Sequence, residues 1–242
     1  MSQPLRIVAW NCCQRLQAKF PDLTSLRPDI AVVPECAKPK ILRAEAPLLF
    51  SGSMAWIGDN EHKGLGVFGF GDYQVELDPC YDESITWIAP IRVSGPVNFN
   101  LLAVWALHKD KPGETDAGVI GPLLRSLTAY RDFVVAAPLV VAGDFNNHVR
   151  WDRPDKKNNH ANAVSQLEEL GSVSAYHAAK GVAQGEDADT THYHTKSLEK
   201  RYHIDYCFVP KAWTVNDCTV GGSSDWLKLS DHMPVAVEVI VP

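Results

Sequence analysis

The sequence predicts an α+β sandwich in which two packed β-sheets carry helices on their outer faces. Short apolar runs separated by turn residues recur along the 242 residues and outnumber the helical stretches. The strand candidates between residues 54 and 107 follow one another with no helix between them, which disfavours the alternative of a doubly wound parallel sheet. No repeat, low-complexity tract or Pro/Ser-rich linker divides the chain, so we expect one domain over residues 1–242.

The predicted strands are rich in Val, Ile, Trp and Phe, and several of them end at Gly, Pro or Asn. The first and the last candidate both have the composition of core strands, which favours a closed domain. The strand candidates cover residues 5–11, 29–35, 54–58, 65–70, 84–93, 99–107, 138–145, 203–209 and 234–241.

Three stretches predict helices. Residues 13–26 form the first candidate, which the following Arg-Pro-Asp sequence ends. Residues 116–135 form the second, with Leu123 and other apolar residues at helical spacing on one face. Residues 159–170 form the third, which ends before Gly171.

Composition limits the classes of protein to which the chain can belong. A hydrophobic content of 45% is typical of a globular protein with a core. The formal net charge of -6 argues against a protein that coats nucleic acid by charge alone, although an enzyme with a local basic rim and a metal stays possible. The N-terminal sequence lacks the pattern of a signal peptide, and no run is long enough to span a membrane. The six cysteines lack CxxC spacing, so reduced thiols in a cytoplasmic protein are favoured over disulfides.

Polar side chains recur at the ends of the predicted strands. Each one alone is compatible with a turn or with a satisfied core residue. Together they place four carboxylates, two imidazoles and two amides on core strands, where charge is costly unless it is paired or bound to metal. The set comprises Asn11, Glu35, His108, Asp144, Asn146, Asp205, Asp231 and His232.

These residue types indicate metal-assisted chemistry on phosphate. Four converging carboxylates repel one another unless a cation or an imidazolium compensates them. A ligand set rich in oxygen favours Mg²⁺ or Mn²⁺ over zinc, and such cations polarise phosphoryl oxygens. Asp231 beside His232 is suited to orient an imidazole, while Asp144 with Asn146 is suited to align and deprotonate a water molecule.

Six motifs occur in order along residues 5–241, and they are specific when they occur together in that order. They are WN (10–11), VVPE (32–35), VWALH (104–108), GDFN (143–146), HIDY (203–206) and SDHMPV (230–235). With them the chain resembles the endonuclease/exonuclease/phosphatase superfamily. That superfamily includes exonuclease III-like and DNase I-like nucleases, sphingomyelinases and inositol polyphosphate 5-phosphatases.

The resemblance implies a fold and a metal site. The implied fold is a four-layer α/β-sandwich of the DNase I-like type, with two packed, mainly antiparallel sheets flanked by helices and the active site at one end of the sheets. By the same resemblance, Asn11, Glu35 and Asp231 are expected to hold Mg²⁺ or Mn²⁺. The segment after Asn11 is CCQR, which lacks the acid found two residues on in some DNA-repair members.

The resemblance also implies catalytic roles. Asp144 is expected to activate water, with Asn146 as its phosphate-contacting partner, and Asp205 is expected to support the imidazole of His232 at the scissile phosphate. His108 is similar to a histidine of the phosphatase and DNase I-like branch. The implied enzyme is a hydrolase of phosphoric ester bonds.

Three loops are candidates for contact with substrate. Residues 148–160 contain Arg150 and Trp151, which suit a phosphate backbone and a stacked base, and a solvated loop is an equally good interpretation. Residues 192–203 are either a cationic rim or only a charged hairpin, and a structural role is favoured over a metal pair for their two alternating histidines. Trp226, just before the last motif, is a further candidate for stacking on substrate.

Three hypotheses follow for the function. The first is a Mg²⁺- or Mn²⁺-dependent endonuclease or exonuclease with DNA or RNA as its substrate. The second is a phosphatase or phosphodiesterase acting on a small phosphorylated metabolite or a lipid headgroup. The third, a catalytically silent binding module, is disfavoured by the intact set of polar residues. The sequence indicates no obligate protein partner.

Overall fold

The structure is a computed structural model that describes residues 4–45, 52–85, 87–107 and 119–242. In this part of the chain, two six-stranded β-sheets pack face to face. The strands are β1 Pro4–Ala9, β2 Ile30–Cys36, β3 Ser53–Asn60, β4 Lys63–Gly69, β5 Gln74–Leu77, β6 Ile88–Ser94, β7 Phe99–Trp105, β8 Leu139–Asp144, β9 Ser172–Ser174, β10 His192–Tyr193, β11 Arg201–Tyr202, β12 Asp205–Pro210, β13 Thr214–Val220 and β14 Val235–Ile240.

The two large sheets are mixed but mainly antiparallel. The first has the order β13-β14-β1-β2-β4-β3, and the second has the order β5-β6-β7-β8-β12-β9. One parallel pair lies near the middle of each sheet, formed by β1 with β2 and by β7 with β8. Strands β10 and β11 form a separate two-stranded ribbon. The ends of the chain meet in the first sheet, because β1 pairs with β14.

Most of the helices cover the outer faces of the sheets, and one, Ala175–Lys180, packs against the core between them. They are α1 Leu16–Ser25, α2 Pro39–Glu45, α3 Gly121–Ala129, α4 Arg131–Ala136, α5 His160–Glu169, α6 Ala175–Lys180 and α7 Ser223–Trp226, with short 3-10 helices at Val149–Trp151 and His194–Lys196. Helices α1 and α2 pack on the first sheet, and α3, α4 and α5 pack on the second. The order of layers is helix, sheet, sheet, helix, which confirms the predicted four-layer α/β-sandwich.

Three apolar clusters hold these layers together. The period of two along each strand sends neighbouring side chains to opposite faces, so Ile7 enters the core between the sheets while Val8 packs under α1. Leu101 and Leu102 divide in the same way on the second sheet. Burial on both faces explains why these strands read as continuous apolar runs in the sequence.

Some elements differ from the sequence predictions. The predicted helix over 116–135 is divided into α3 and α4 at Tyr130, whose hydroxyl contacts the backbone of Asp82, and residues 116–118 lie outside the described part. Strand β13 was not predicted, because as an edge strand it carries exposed polar residues such as Asn216. In the described part of the chain, no helix has both the length and the apolar character needed to cross a membrane.

Candidate active site

The candidate site lies where strands of the second sheet end. Asp144 is the last residue of β8, Asp205 is the first residue of β12, and the antiparallel pairing of these strands makes the two residues direct partners. Both side chains are fully buried. Two buried carboxylates this close repel each other when both are charged, so the site needs a compensating positive charge.

His232 supplies a positive charge to this pair. Its Nδ1 atom lies 2.9 Å from Asp205 Oδ2 and 3.2 Å from Oδ1, and its Nε2 atom lies 3.9 Å from Asp144 Oδ2. The backbone at this residue is also fixed. His232 N donates to Ser230 Oγ, and Trp10 Nε1 donates to the carbonyl oxygen of His232, both at 3.0 Å. Asp205 therefore orients the imidazole so that Nε2 points towards Asp144.

Burial and charge act on these groups in opposite directions. Burial raises the pKa of Asp144, the charge of His232 opposes this effect, and the charge of Asp205 adds to it. Burial lowers the pKa of His232, but attraction to Asp205 and Asp144 outweighs burial and raises that pKa above its usual range. These directions favour a cationic imidazole near neutral pH and give Asp144 a higher proton affinity than an ordinary carboxylate, as a general base requires.

Amide groups fix the carboxylate of Asp144. Asn146 donates its backbone N–H to Oδ1 at 2.8 Å and its side-chain amide to Oδ2 at 3.0 Å, and Asn11 donates to the same Oδ2 at 3.0 Å. The turn needs special residues, because Asn146 has a φ of 46° and Gly143 has a φ of 138°. A Cβ atom at Gly143 would lie 2.0 Å from the carbonyl oxygen of Val104. The GDFN motif is therefore a requirement of the backbone as well as of the chemistry.

Glu35 reaches the site from a β-bulge in the first sheet. The register between β2 and β4 shifts between Pro34 and Cys36, and Glu35 has a left-handed φ of 61°. Bulges of this kind redirect a side chain out of the ladder. Glu35 Oε1 lies 3.4 Å from Asn11 Nδ2, and Glu35 Oε2 lies 3.3 Å from Lys63 Nζ. Sequence reasoning missed Lys63, because a lysine in a hairpin has no distinguishing local pattern.

The amide of Asn11 is oriented by the backbone that follows it. Cys13 N donates to Asn11 Oδ1 at 3.0 Å, so the amide nitrogen faces Asp144 and Glu35. Residues 13–15 all have left-handed φ values, between 50° and 61°. Lys19 Nζ stabilises this unusual turn by donating to the carbonyl oxygen of Cys12 at 2.6 Å. Asn11 thus acts as a hydrogen-bond donor to the carboxylates.

Asp231 lies beside two imidazoles. Its Oδ2 atom is 3.8 Å from His192 Nε2, and the ring centroid of His192 is 4.3 Å from that of His232. Burial raises the pKa of Asp231, but the two imidazoles outweigh burial and hold the pKa well below its usual range. The sequence favoured only a charged hairpin at His192, whereas the ribbon places this ring in the site. The signal is a long-range pairing between His192 and His232, which no local pattern reveals.

The donor chemistry fits a hard divalent cation. Burial raises the pKa of the Cys13 thiol, and the charges of Asp231 and Glu35 add to this effect. Glu35 already attracts the cationic Lys63. Four carboxylates exceed the positive charge of their neighbours, and oxygen donors are the ligands that Mg²⁺ and Mn²⁺ prefer. Among the described residues, two groups hold their ligand atoms within 4.8 Å of one another, namely Asp144 with Asp205 and His232, and His192 with Asp231 and His232, and Glu35 belongs to neither group.

The predicted substrate residues occupy different positions. Trp151 ends the 3-10 helix after Asn146 and is 44% exposed, and Arg150 beside it is also exposed. Trp226 is half-buried and packs edge-on against Trp10, with 5.0 Å between ring centroids, so part of its surface is already used inside the fold. His108 lies outside the described residues.

A family model described as the Endonuclease/Exonuclease/phosphatase family matches residues 85–232. That match covers more than half of the chain and includes Asp144, Asn146, Asp205, Asp231 and His232. Among curated proteins, none matches the chain.

Solved structures share the fold over nearly the whole chain. An endonuclease/exonuclease/phosphatase from Bacteroides vulgatus aligns with a TM-score of 0.71 at 16% identity, covering 99% of this chain and 100% of the other. A 3′ phosphatase from Neisseria, solved with a product DNA hairpin, aligns with a TM-score of 0.68 at 19% identity, covering 96% and 98%. An AP endonuclease from Leishmania major aligns with a TM-score of 0.67 at 10% identity, covering 99% and 89%.

Proposed function

Because the chain belongs to the endonuclease/exonuclease/phosphatase family and is a hydrolase of phosphoester bonds, we propose that it cleaves the phosphodiester bonds of DNA or RNA with the help of Mg²⁺ or Mn²⁺. The observation that carries the proposal is the 3.9 Å separation between His232 Nε2 and Asp144 Oδ2. The atoms are too far apart for a direct hydrogen bond, and a single oxygen atom of a bound water molecule or phosphate would be within hydrogen-bond distance of both.

Asp144 is the proposed base. Its carboxylate is held by Asn146 and Asn11, so it keeps one orientation while it accepts the proton of an attacking water molecule. Burial raises its pKa, which favours proton transfer near neutral pH. Asn146, whose side-chain amide donates to the same carboxylate, is the proposed donor to a phosphate oxygen.

His232 is the proposed stabiliser of phosphate charge. Asp205 holds its Nδ1 atom at 2.9 Å, which leaves Nε2 as the donor to the phosphate. A fixed, cationic donor in a buried site stabilises the negative charge that develops on the phosphate oxygens more than a donor in water would.

The cation belongs on the oxygen-rich side of the site. When bound, it polarises a phosphoryl oxygen and offsets charge on the leaving oxygen. Glu35 and Asp231 are the residues that we assign to hold it. Asn11, a further predicted ligand, presents its amide nitrogen to Glu35 and Asp144, so its proposed role is to orient those carboxylates.

The exposed, basic residues next to the site support nucleic acid as substrate. Arg150 and Trp151 follow the catalytic turn directly, and the Neisseria relative was solved with a DNA hairpin. The net charge of -6 favours the second candidate, a small phosphorylated metabolite or lipid headgroup, which needs no extended basic surface. All six cysteines are free, in keeping with the cytoplasmic location that we predict.

Hydrolysis of supercoiled plasmid in Mg²⁺, Mn²⁺ or EDTA tests the proposal, with His232→Ala as the matched inactive variant. We expect the wild-type protein to nick the plasmid with either metal and to lose that activity in EDTA. Absence of cleavage at high protein concentration, together with metal-dependent phosphate release from a small ester, would assign the second candidate instead.

A further inference from the structure

A line of rings connects the catalytic imidazole with the protein surface. His192 lies against His232, with 4.3 Å between centroids and 30° between planes. Tyr202 follows at 6.2 Å from His192 and 29°, and Trp151 follows at 5.1 Å from Tyr202 and 56°. The line, which we call the ring track, begins at the proposed phosphate site and ends at an exposed indole.

The inner part of the ring track is rigidly joined to the catalytic residues. His192 and Tyr202 are direct partners in the ribbon of β10 and β11. Tyr193 N donates to the carbonyl oxygen of Asp231 at 2.8 Å, so the ribbon continues into the catalytic segment. Thr191 Oγ1 accepts from the backbone N–H of Asp205 at 3.0 Å. The position of the ribbon is therefore set by the same residues that set the catalytic geometry.

Buried contacts of His148 fix the outer end of the ring track. His148 Nδ1 accepts from Arg150 N at 3.0 Å, and His148 Nε2 lies 2.8 Å from the carboxylate of Asp187. Both His148 and the carboxylate are buried. This contact holds the 3-10 helix that carries Trp151. The fixed backbone of this 3-10 helix keeps the indole of Trp151 at the surface. A flat apolar ring held in one orientation suits stacking on a nucleobase.

Exposed cations neighbour the residues of the ring track in the sequence. Arg150 precedes Trp151, and Lys200 and Arg201 lie at the start of the ribbon strand that carries Tyr202, where all three cations are exposed. A strand of nucleic acid needs both features, because its phosphates bind cations while its bases bind flat rings. A small phosphoester or a lipid headgroup would use the cations and leave the indole without a partner.

We propose that Trp151, backed by Tyr202, is a stacking platform for a nucleobase close to the scissile phosphate, and that the enzyme prefers unpaired nucleic acid. The proposal rests on the proposed nuclease function and specifies its substrate class. A base in a duplex is already stacked on both faces, so only a single strand or a frayed end offers a free face to the indole. The preference is for shape rather than sequence, because every base has a flat face.

Oligonucleotides with and without bases test the platform. The substrates are a single-stranded oligonucleotide, the same backbone with tetrahydrofuran in place of every nucleoside sugar and base, and the blunt duplex. For the wild type we expect kcat/KM to be highest on the base-bearing single strand. Trp151→Ala should lower that value by roughly 5- to 150-fold, mainly through KM, and should leave cleavage of the base-free strand nearly unchanged. Trp151→Phe should restore most of the loss, because it restores a flat ring.

Val135→Ala is the matched control, because Val135 is an exposed apolar residue on α4 that plays no part in the proposed site. It should behave as the wild type on all three substrates, and thermal melting should show that each variant is folded. The proposed platform is wrong if Trp151→Ala lowers kcat/KM equally on the base-bearing and base-free strands. It is also wrong if the wild type has the same kcat/KM on the duplex and on the single strand. If the wild type cleaves none of the three with Mg²⁺ or Mn²⁺, the nuclease function itself fails.

Discussion

In the part of the chain that the structure describes, two buried centres pair carboxylates with imidazoles, and they differ in what surrounds the imidazole. In the first, Asp205 holds His232. In the second, which lies under the loop that follows the GDFN motif, Asp187 stands between His148 and His177, with 2.8 Å from each of its oxygens to an Nε2 atom. Composition alone cannot tell the two centres apart.

The Asp187 centre is closed. His148 Nδ1 already accepts from Arg150 N at 3.0 Å, and His177 Nδ1 lies 2.7 Å from Ser174 Oγ. Burial raises the pKa of Asp187, but its contacts with His148 and His177 outweigh burial and hold that pKa well below its usual range. Every ring nitrogen of the pair lies within 3.0 Å of a polar atom of the protein, although the contact between His177 Nε2 and Asp187 Oδ1 lacks hydrogen-bond geometry. We therefore assign this centre to the fold.

The Asp205 centre is open. Its imidazole uses Nδ1 on Asp205, while Nε2 has Asp144 at 3.9 Å, beyond hydrogen-bond distance. A polar atom in this position is available to a ligand. An acid next to a histidine therefore indicates catalysis only when the outer nitrogen of the ring is still available to a ligand.

The largest expected effect comes from breaking the open centre. Asp144→Asn removes the proposed base and keeps the shape of the side chain, so we expect hydrolysis to fall by about 10²- to 10⁴-fold. Initial rates on the plasmid measure this loss, and circular dichroism checks the fold. Turnover at the wild-type level would remove Asp144 from the role of base.

Glu35→Gln separates metal binding from proton transfer within the open centre. Loss of a residue that only supports a metal ligand typically weakens metal affinity by about tenfold or more. Loss of a carboxylate that itself binds the metal should therefore weaken the affinity for Mn²⁺ by more than about tenfold. Titration of activity against Mn²⁺ should then show a shifted midpoint, with activity partly restored at excess metal. An unchanged titration curve would exclude Glu35 as a ligand.

Breaking the closed centre should affect stability more than chemistry. Asp187→Asn leaves buried imidazole N–H groups poorly satisfied, so we expect the free energy of unfolding at pH 7 to fall by about 2 kcal/mol. Because the folded pKa of Asp187 is depressed, its contribution is present above the unfolded pKa of about 3.9 and is lost as the pH falls towards the folded pKa. Urea unfolding at several pH values should show the two proteins converging in acid.

Asp155→Asn is the control for this prediction, because Asp155 is an exposed carboxylate paired with Arg153. It should change the free energy of unfolding by less than about 0.5 kcal/mol at any of these pH values. If Asp187→Asn changes the free energy of unfolding as little as Asp155→Asn does, the closed centre contributes nothing to stability and its assigned structural role is wrong.

The smallest expected effect concerns the rim of the open centre. Arg150→Gln should remove one phosphate contact, which lowers the slope of log Kd against log salt concentration by about 0.7 for a single strand. Binding of an oligonucleotide to the His232→Ala background at several salt concentrations measures this slope. An unchanged slope would place Arg150 outside the path of the backbone.

Sequence reasoning predicted the sandwich and the positions of its core strands, because apolar strands buried on both faces are visible as continuous runs. It also named Asp144, Asp205 and His232 from motifs at strand ends. It missed Asp187, which lies in a polar loop. The structural role of Asp187 depends on two histidines, His148 before the 3-10 helix and His177 on α6, which the fold brings close to it. Contacts of this kind depend on tertiary packing, which local patterns do not encode.

One hydrogen bond in the candidate site joins two segments that lie far apart in the sequence, and this separation affects when the site can form. Ser230 Oγ donates to the carbonyl oxygen of Asn11 at 2.7 Å, next to the pairing of β1 with β14. Contacts over so long a stretch of sequence form late, after the cost of closing a large loop. On the ribosome, the candidate site cannot assemble until β14 has emerged, so we expect a nascent chain that still lacks β14 to be inactive.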